Sequence, residues 1–145
     1  MLFRSRQIHE KLIKKSLEVK ENMILITDRG TIGNVMIVPK HFEGWAVSQN
    51  VIKLECTSND IAGYLYAFLN SHYGEIFLQR ETYGSVINMI DDKNVAQIPI
   101  PLLKNKEAQT KINNLVLDAN KKRYEAYILE QKAIKMVNEK VIYAK

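Results

Sequence analysis

The chain has 145 residues, of which 46% are hydrophobic and 26% are charged, and its formal net charge is +5. This length suits one small globular unit with an appendage rather than two full domains. The single cysteine, Cys56, excludes an internal disulfide and a cysteine-based zinc site, and no apolar run reaches the roughly 18 residues that span a bilayer, so we expect a cytoplasmic protein without membrane contact, metal or cofactor.

The positive charge is unevenly distributed along the chain. Lys and Arg outnumber Asp and Glu by 6 to 2 in residues 1–20 and by 10 to 5 in residues 102–145, but they are outnumbered 5 to 9 in residues 21–101. A basic patch is the usual electrostatic signature of a nucleic-acid binder. The middle of the chain lacks this signature in composition, although composition does not fix the charge of one face.

Residues 23–54 contain β-rich runs separated by turn residues, among them "MILIT", "NVMIVP" and "AVSQNVIKL". This pattern predicts an antiparallel strand meander, with Trp45 in the core or as a lid on the sheet. Gly30 and Gly33 in "DRGTIGN" match either a GxxG nucleic-acid clamp or a hairpin turn, and the flanking strands favour the turn. At its tip, Arg29 and Thr31 would be exposed to phosphate or base.

Gln49 is another candidate DNA contact, in the stretch Ser48 to Asn50 that we predict to lie within a strand. A glutamine amide can bond adenine through two hydrogen bonds. The alternative is that it satisfies backbone groups of the sheet, and the sequence leaves both open.

A helix or helix pair is predicted from Asn59, with Asp60 as its N-cap, apolar residues at helical spacing and a break between Ser71 and Gly74. The segment "RETYGSVIN" that follows predicts a polar turn between helix and strand. It offers a candidate DNA-contacting set: Arg80, Tyr83, Ser85 and Asn88.

The segment "GSVINMIDDKNVAQIPIP" predicts a strand, a turn and a short edge strand. Asp91 and Asp92 would serve as N-cap or solvated turn residues. Pro99 and Pro101 cannot donate to a β-ladder, so they would lie at the edge of the sheet and end it.

Residues 102–145 contain neither Gly nor Pro, which predicts one long helix beginning near Lys106. Such a helix is too long for a small domain to cover, so it must project. It is either folded back on its own domain or, as we favour, part of a coiled coil. The predicted subunit interface is a stripe at coiled-coil spacing: Ile112, Val116, Ala119, Arg123, Ala126, Glu130, Ala133 and Val137.

Catalytic signals are absent from the sequence. His9, His41 and His72 are scattered singly, no Gly-rich loop follows a strand, and the Asn-Pro-Pro-aromatic motif of amino-methyltransferases does not occur. We therefore predict no catalytic residues.

Five segments occur in the order found in one known family: "ILITDRGTIGNVMIVP", "GWAVSQNVIKL", "YLYAFLNSHYGEIF", "YGSVINMIDDKNVAQIPIPLL" and "QTKINNLVLDANKKRYEAYILEQKAI". Over about residues 17–140 the chain resembles the DNA specificity subunits of type I restriction-modification systems. The resemblance implies that residues 1–103 are the C-terminal part of a target recognition domain and that residues 104–145 are the conserved spacer helix. "IPIPLL" would be the rigid junction between them.

This resemblance implies an α+β domain with a protruding C-terminal helix and no catalytic activity. Such a subunit reads one half of a bipartite target in double-stranded DNA and docks the methyltransferase (modification) subunit, with the restriction subunit of the same system as a further partner. A homodimer through the helix is also expected. The alternative is a truncated assembly module, which pairs through its helix with a specificity or methyltransferase subunit and does not read DNA.

Overall fold

Short strands form the first part of this computed structural model, which describes residues 3–4, 17–80 and 89–142. The strands are β1 (Phe3–Arg4), β2 (Ile24–Thr27), β3 (Val35–Ile37), β4 (Ala46–Val47) and β5 (Val51–Leu54). β2 is the centre of a three-stranded antiparallel sheet in the order β3-β2-β5, and β1 pairs with β4.

The antiparallel sheet with its helices confirms the predicted α+β class. The predicted meander is wrong, because the strand order is β3-β2-β5. The run "AVSQNVIKL" splits into β4 and β5 at a turn over Gln49 and Asn50, where the Asn50 amide donates to Ser48 Oγ at 3.2 Å. This turn sends β5 back to the open edge of β2. Gln49 therefore lies in an exposed turn rather than within a strand.

The central strand β2 is buried on both faces, which explains its uninterrupted apolar sequence. Ile24 and Ile26 point into a cluster with helical side chains such as Leu69 and Leu78. Leu25 points to the other face, into a second cluster of strand and loop residues. Trp45 packs against this second cluster, as predicted.

The helices are α1 (Asn59–Leu69), α2 (His72–Arg80), α3 (Asp92–Ala96) and α4 (Lys106–Val137), and a π-helical turn, Asn138–Ile142, follows α4. The predicted helix pair with its break is confirmed. The predicted N-cap is wrong, because Ser58 caps α1: its Oγ accepts from the Asp60 amide at 3.1 Å. Ser58 adopts the extended backbone conformation of a cap, whereas Asp60 is already helical.

The predicted edge strand around the prolines is also wrong. Asp91 and Asn94 form a capping box that starts α3, so the chain enters the proline segment from a helix. Residues 97–105 contain no strand. The segment is held instead by Tyr64 of α1, whose hydroxyl donates to the Pro101 carbonyl, and by the Leu103 amide, which donates to Gln109 of α4. The predicted strand at residues 84–88 lies outside the described residues.

The long helix α4 begins at Lys106, where the sequence predicted it, and runs for 32 residues, or about 48 Å. Its first six turns, through Tyr127, pack on α1 and on the 3₁₀ helix Lys40–Phe42. Beyond Tyr127, every residue through Val141 is exposed. The helix therefore both folds back on its own domain and projects from it. Every helix among the described residues is too short or too polar to span a membrane.

Candidate nucleic-acid interface

The turn that follows β2 presents an arginine beside an aspartate. Gly30 and Gly33 in this turn have φ of 77° and 79°, a conformation that favours glycine. The turn is closed at its base by Thr27, whose amide donates to the Asn34 carbonyl at 3.1 Å and whose hydroxyl accepts from the Asn34 amide at 3.1 Å. The turn therefore joins two strands, as predicted, and holds Arg29 at the end of the sheet.

Asp28 orients the guanidinium of Arg29. Arg29 Nε lies 3.3 Å from one carboxylate oxygen of Asp28, and Nη2 lies 3.5 Å from the other. The Asp28 side chain is only 14% exposed, whereas that of Arg29 is 48% exposed. A guanidinium has five N–H donors, so the edge formed by Nη1 and Nη2 stays available for a partner in solvent.

A groove of about 380 Å³ brings this arginine together with Gln49. The groove also contains Lys53 of β5 and Asp28, Asp91 and Asp92. Burial lowers the pKa of Lys53 below its usual value. With three carboxylates against two cationic groups, the groove is not a phosphate-binding channel, but it offers both donors and acceptors to base edges.

The remaining predicted contacts are not all brought together. Thr31 is exposed at the tip of the turn and does not line the groove. Arg80 is the last residue of α2 and is exposed. Tyr83, Ser85 and Asn88 lie outside the described residues.

The chain re-enters the described part of the structure next to Arg29. Met89 forms an isolated antiparallel bridge with Arg29, and the Ile90 amide donates to the Asp28 carbonyl at 3.0 Å. Residues 81–88 thus connect Arg80 to a residue that is paired with Arg29. Sequence reasoning missed Asp28, Lys53, Asp91 and Asp92, although the adjacent acid in "TDRG" was a signal for an oriented arginine.

The predicted interface stripe of α4 divides between two surfaces. Ile112 and Val116 are half-buried on the side that faces the domain. The other members are exposed: Ala119, Arg123, Ala126, Glu130, Ala133 and Val137. Leu115, Leu129 and Met136 add exposed apolar surface, with Leu115 61% and Leu129 67% exposed.

Polar turns lie at one end of the sheet, and the C-terminal part of α4 is uncovered. No group of three or more metal-ligating side chains occurs among the described residues. A comparison with protein families assigns the class: the model for the type I restriction modification DNA specificity domain matches residues 7–121. The chain belongs to this family. No curated protein matches it.

Proposed function

We propose that the chain is a non-catalytic specificity subunit of a type I restriction-modification system, which reads one half of a bipartite DNA target and docks the methyltransferase subunit through α4. The observation that carries this proposal is the pair of Asp28 and Arg29 in a groove shared with Gln49. The family match places these residues in a DNA specificity domain.

Arg29 is the residue best placed to read a base. The fork of a guanidinium matches the O6 and N7 acceptors of guanine in the major groove. Asp28 occupies one edge of the fork and reduces the rotamer freedom that DNA binding would otherwise remove. The reading contact is therefore pre-oriented before DNA binds.

The carboxylates of the groove suit the same task. A carboxylate accepts from the exocyclic amine of cytosine and repels phosphate. Asp92 is exposed and lines the same groove as Arg29, so the groove offers an arginine to guanine and an acid to cytosine. Affinity from phosphate contacts would come from other parts of the assembled complex.

The uncovered surface of α4 supports the docking role. Ala126 and Ala133 lie on one face two turns apart, and small side chains allow a partner helix to approach closely. Exposed apolar residues beside them give a partner more surface than the alanines alone. The partners in this proposal are the methyltransferase subunit, the restriction subunit and a second specificity chain.

The test is methylation by a complex of this chain with the modification subunits of the same system. Random-sequence DNA is incubated with the complex and S-adenosylmethionine, and the methylated sites are sequenced. We expect a bipartite motif with a guanine in one half-site. The preference for this guanine should be lost in Arg29→Ala and weakened in Arg29→Lys. Lys104→Ala, which removes an exposed cation away from the groove, should leave the motif unchanged.

The acidic groove also favours the alternative, an assembly module that does not read DNA. In that case the complex forms, but Arg29→Ala and the wild type methylate the same sites. The methylation motif therefore decides between the two functions.

A further inference from the structure

Two asparagine side chains are buried where α4 packs on the domain. Asn113 is 2% exposed and Asn120 is 1% exposed, and they are the buried polar residues among those that the structure describes. They lie seven residues apart on one face of α4, which is about two turns, or 10 Å along the axis. Buried amides are costly unless they are hydrogen-bonded, so their partners matter.

Asn113 forms hydrogen bonds with the backbone of α1. Its Oδ1 accepts from the amides of Gly63 at 2.8 Å and Tyr64 at 3.2 Å, and its Nδ2 donates to the Asn59 carbonyl at 2.9 Å. The two helices approach so closely that a Cβ at Gly63 would lie 2.3 Å from the backbone oxygen of Asn113. The contact therefore fixes α4 against backbone, which cannot change rotamer.

Asn120 binds the loop before β2 and the loop after β3. Its Nδ2 donates to the Val38 carbonyl at 2.8 Å and to Asn22 Oδ1 at 3.1 Å. A carbonyl can only accept, so the amide orientation of Asn120 is determined. Asn22 in turn donates from Nδ2 to Asn59 Oδ1 at 3.4 Å and from its backbone amide to the Val38 carbonyl at 2.9 Å.

These bonds join four residues into one network, the asparagine clamp: Asn22, Asn59, Asn113 and Asn120. It links α4 to α1 and to the loops beside β2 and β3, at two points two turns apart. Apolar side chains tolerate sliding because their attraction is not directional. Any slip or rotation of α4 would instead break the buried hydrogen bonds of Asn113 to Gly63 and Tyr64 and of Asn120 to Val38.

We propose that Asn113 and Asn120 are positioning residues, which fix the rotation and axial position of α4 on the domain and thereby set the spacing between the two half-sites. The second part rests on the proposed function, in which the chain reads one half of a bipartite target and binds its partners, a second specificity chain among them, through α4. A slip of one helical turn moves the domain by about 5.4 Å, more than the roughly 3.4 Å between successive base pairs. A slip that the asparagine clamp prevents would therefore be large enough to change the half-site spacing by at least one base pair.

The first arm of the test measures the geometry without DNA. Spin labels are placed at cysteines introduced for the exposed residues Glu75 of α2 and Lys132 of α4, in a Cys56→Ser background. Pulsed electron paramagnetic resonance then gives the distance between the two labels. We expect one narrow distance in the wild type and a broadened or second distance in the double variant Asn113→Leu with Asn120→Leu.

The matched control is Leu117→Ala, which shortens a half-buried residue between the two asparagines and leaves the asparagine clamp intact. It should lower the melting temperature and keep the narrow distance. Should the double variant fail to fold, Asn120→Leu alone, which keeps the Asn113 contact with α1, is measured in the same way. An asparagine variant that folds and keeps the narrow distance overturns the proposal.

The second arm measures spacing in the complex with modification subunits, on duplexes whose half-sites are separated by different numbers of base pairs. We expect the wild type and Leu117→Ala to methylate one spacing, and the double variant to methylate neighbouring spacings with the same half-site sequences. Unchanged spacing in a variant with a broadened distance overturns the role in spacing. A wild-type complex that methylates no duplex instead contradicts the proposed function, while the spin-label distance still decides on the clamp.

Discussion

The imidazole of His41 lies flat on the ring of Tyr127, with ring centroids 4.2 Å apart and planes 6° from parallel. Tyr124 stacks more distantly on the same imidazole, and Lys40 Nζ lies 5.7 Å from the centre of the Tyr124 ring. Tyr127 is the last residue of α4 before the exposed end. This stack therefore ends the contact between the domain and its helix.

We expect the burial of His41 to make the stability of the domain depend on pH. His41 Nδ1 is buried without a hydrogen-bond partner among the described residues, and burial lowers the pKa of His41 below its usual 6.5. Below about pH 6.5 the unfolded chain then binds a proton that the folded chain resists, so stability is lost as the pH falls. Above that pH both states are neutral and the contribution is complete.

We expect wild type and His41→Phe to differ in this pH dependence. Phenylalanine keeps a flat ring on Tyr127 but does not titrate. Urea unfolding between about pH 7 and 5 should show a steeper loss for the wild type than for His41→Phe. Parallel curves for the two proteins would contradict the burial of a neutral histidine.

Gly63 should be far less tolerant of alanine than Gly30. A Cβ at Gly63 would meet the backbone of Asn113 at 2.3 Å, so α1 and α4 would have to separate, at a cost of about 2 to 4 kcal/mol. Gly30 has φ of 77° but nothing within 4 Å of an added Cβ. Gly30→Ala should therefore cost only about 1 kcal/mol from backbone strain. Equal losses in denaturant titrations would mean that the helices do not approach this closely.

The sequence predicted the elements whose patterns are local. The α4 helix was visible from 44 residues without Gly or Pro, and the turn at Gly30 and Gly33 from its flanking strands. The order of the sheet was not, because the pairing of β5 with β2 depends on a turn at Gln49 that the β-rich run conceals. Similarly, "DDKN" was predicted as a turn with N-capping as one role for Asp91; that role is confirmed, but the helix it starts, with Asn94 completing a capping box, was not predicted.

Individual residues of the candidate site were predicted from the sequence, but their proximity in one groove was not. Arg29 and Gln49 were selected separately, and only tertiary structure places them in one groove with Asp91 and Asp92. The asparagine clamp was missed because an asparagine inside a helix is usually solvated. Its signal is the spacing of Asn113 and Asn120, which repeats on the buried face of α4.

Ala126 tests the proposed docking surface of α4. The residue is exposed, so Ala126→Glu should not change the stability of the isolated chain. In the proposed complex it would bury an unpaired charge in the helix interface, which should weaken association by about 3 kcal/mol or more. Sedimentation and copurification with the modification subunit measure the loss.

The control for Ala126 is Gln131→Glu, which adds the same charge more than a third of a turn away from the alanine line. It should bind as the wild type does. Unchanged sedimentation and partner binding in Ala126→Glu would exclude this face of α4 from the interface.

Arg80 tests the second part of the predicted reading surface. It ends α2 and is exposed, so Arg80→Ala should leave the fold intact. If it bonds a guanine edge, the assembled complex should lose about 1 to 3 kcal/mol of binding free energy on cognate DNA and change its sequence preference. If it contacts only phosphate, binding to cognate and scrambled duplexes should weaken alike and the salt slope should fall by about one unit.

Salt titrations of wild type, Arg80→Ala and Lys104→Ala on both duplexes separate these results, since Lys104→Ala should match the wild type. Identical affinities and slopes for Arg80→Ala and wild type would remove Arg80 from the interface and leave the DNA contact to the turn that carries Arg29 and Thr31.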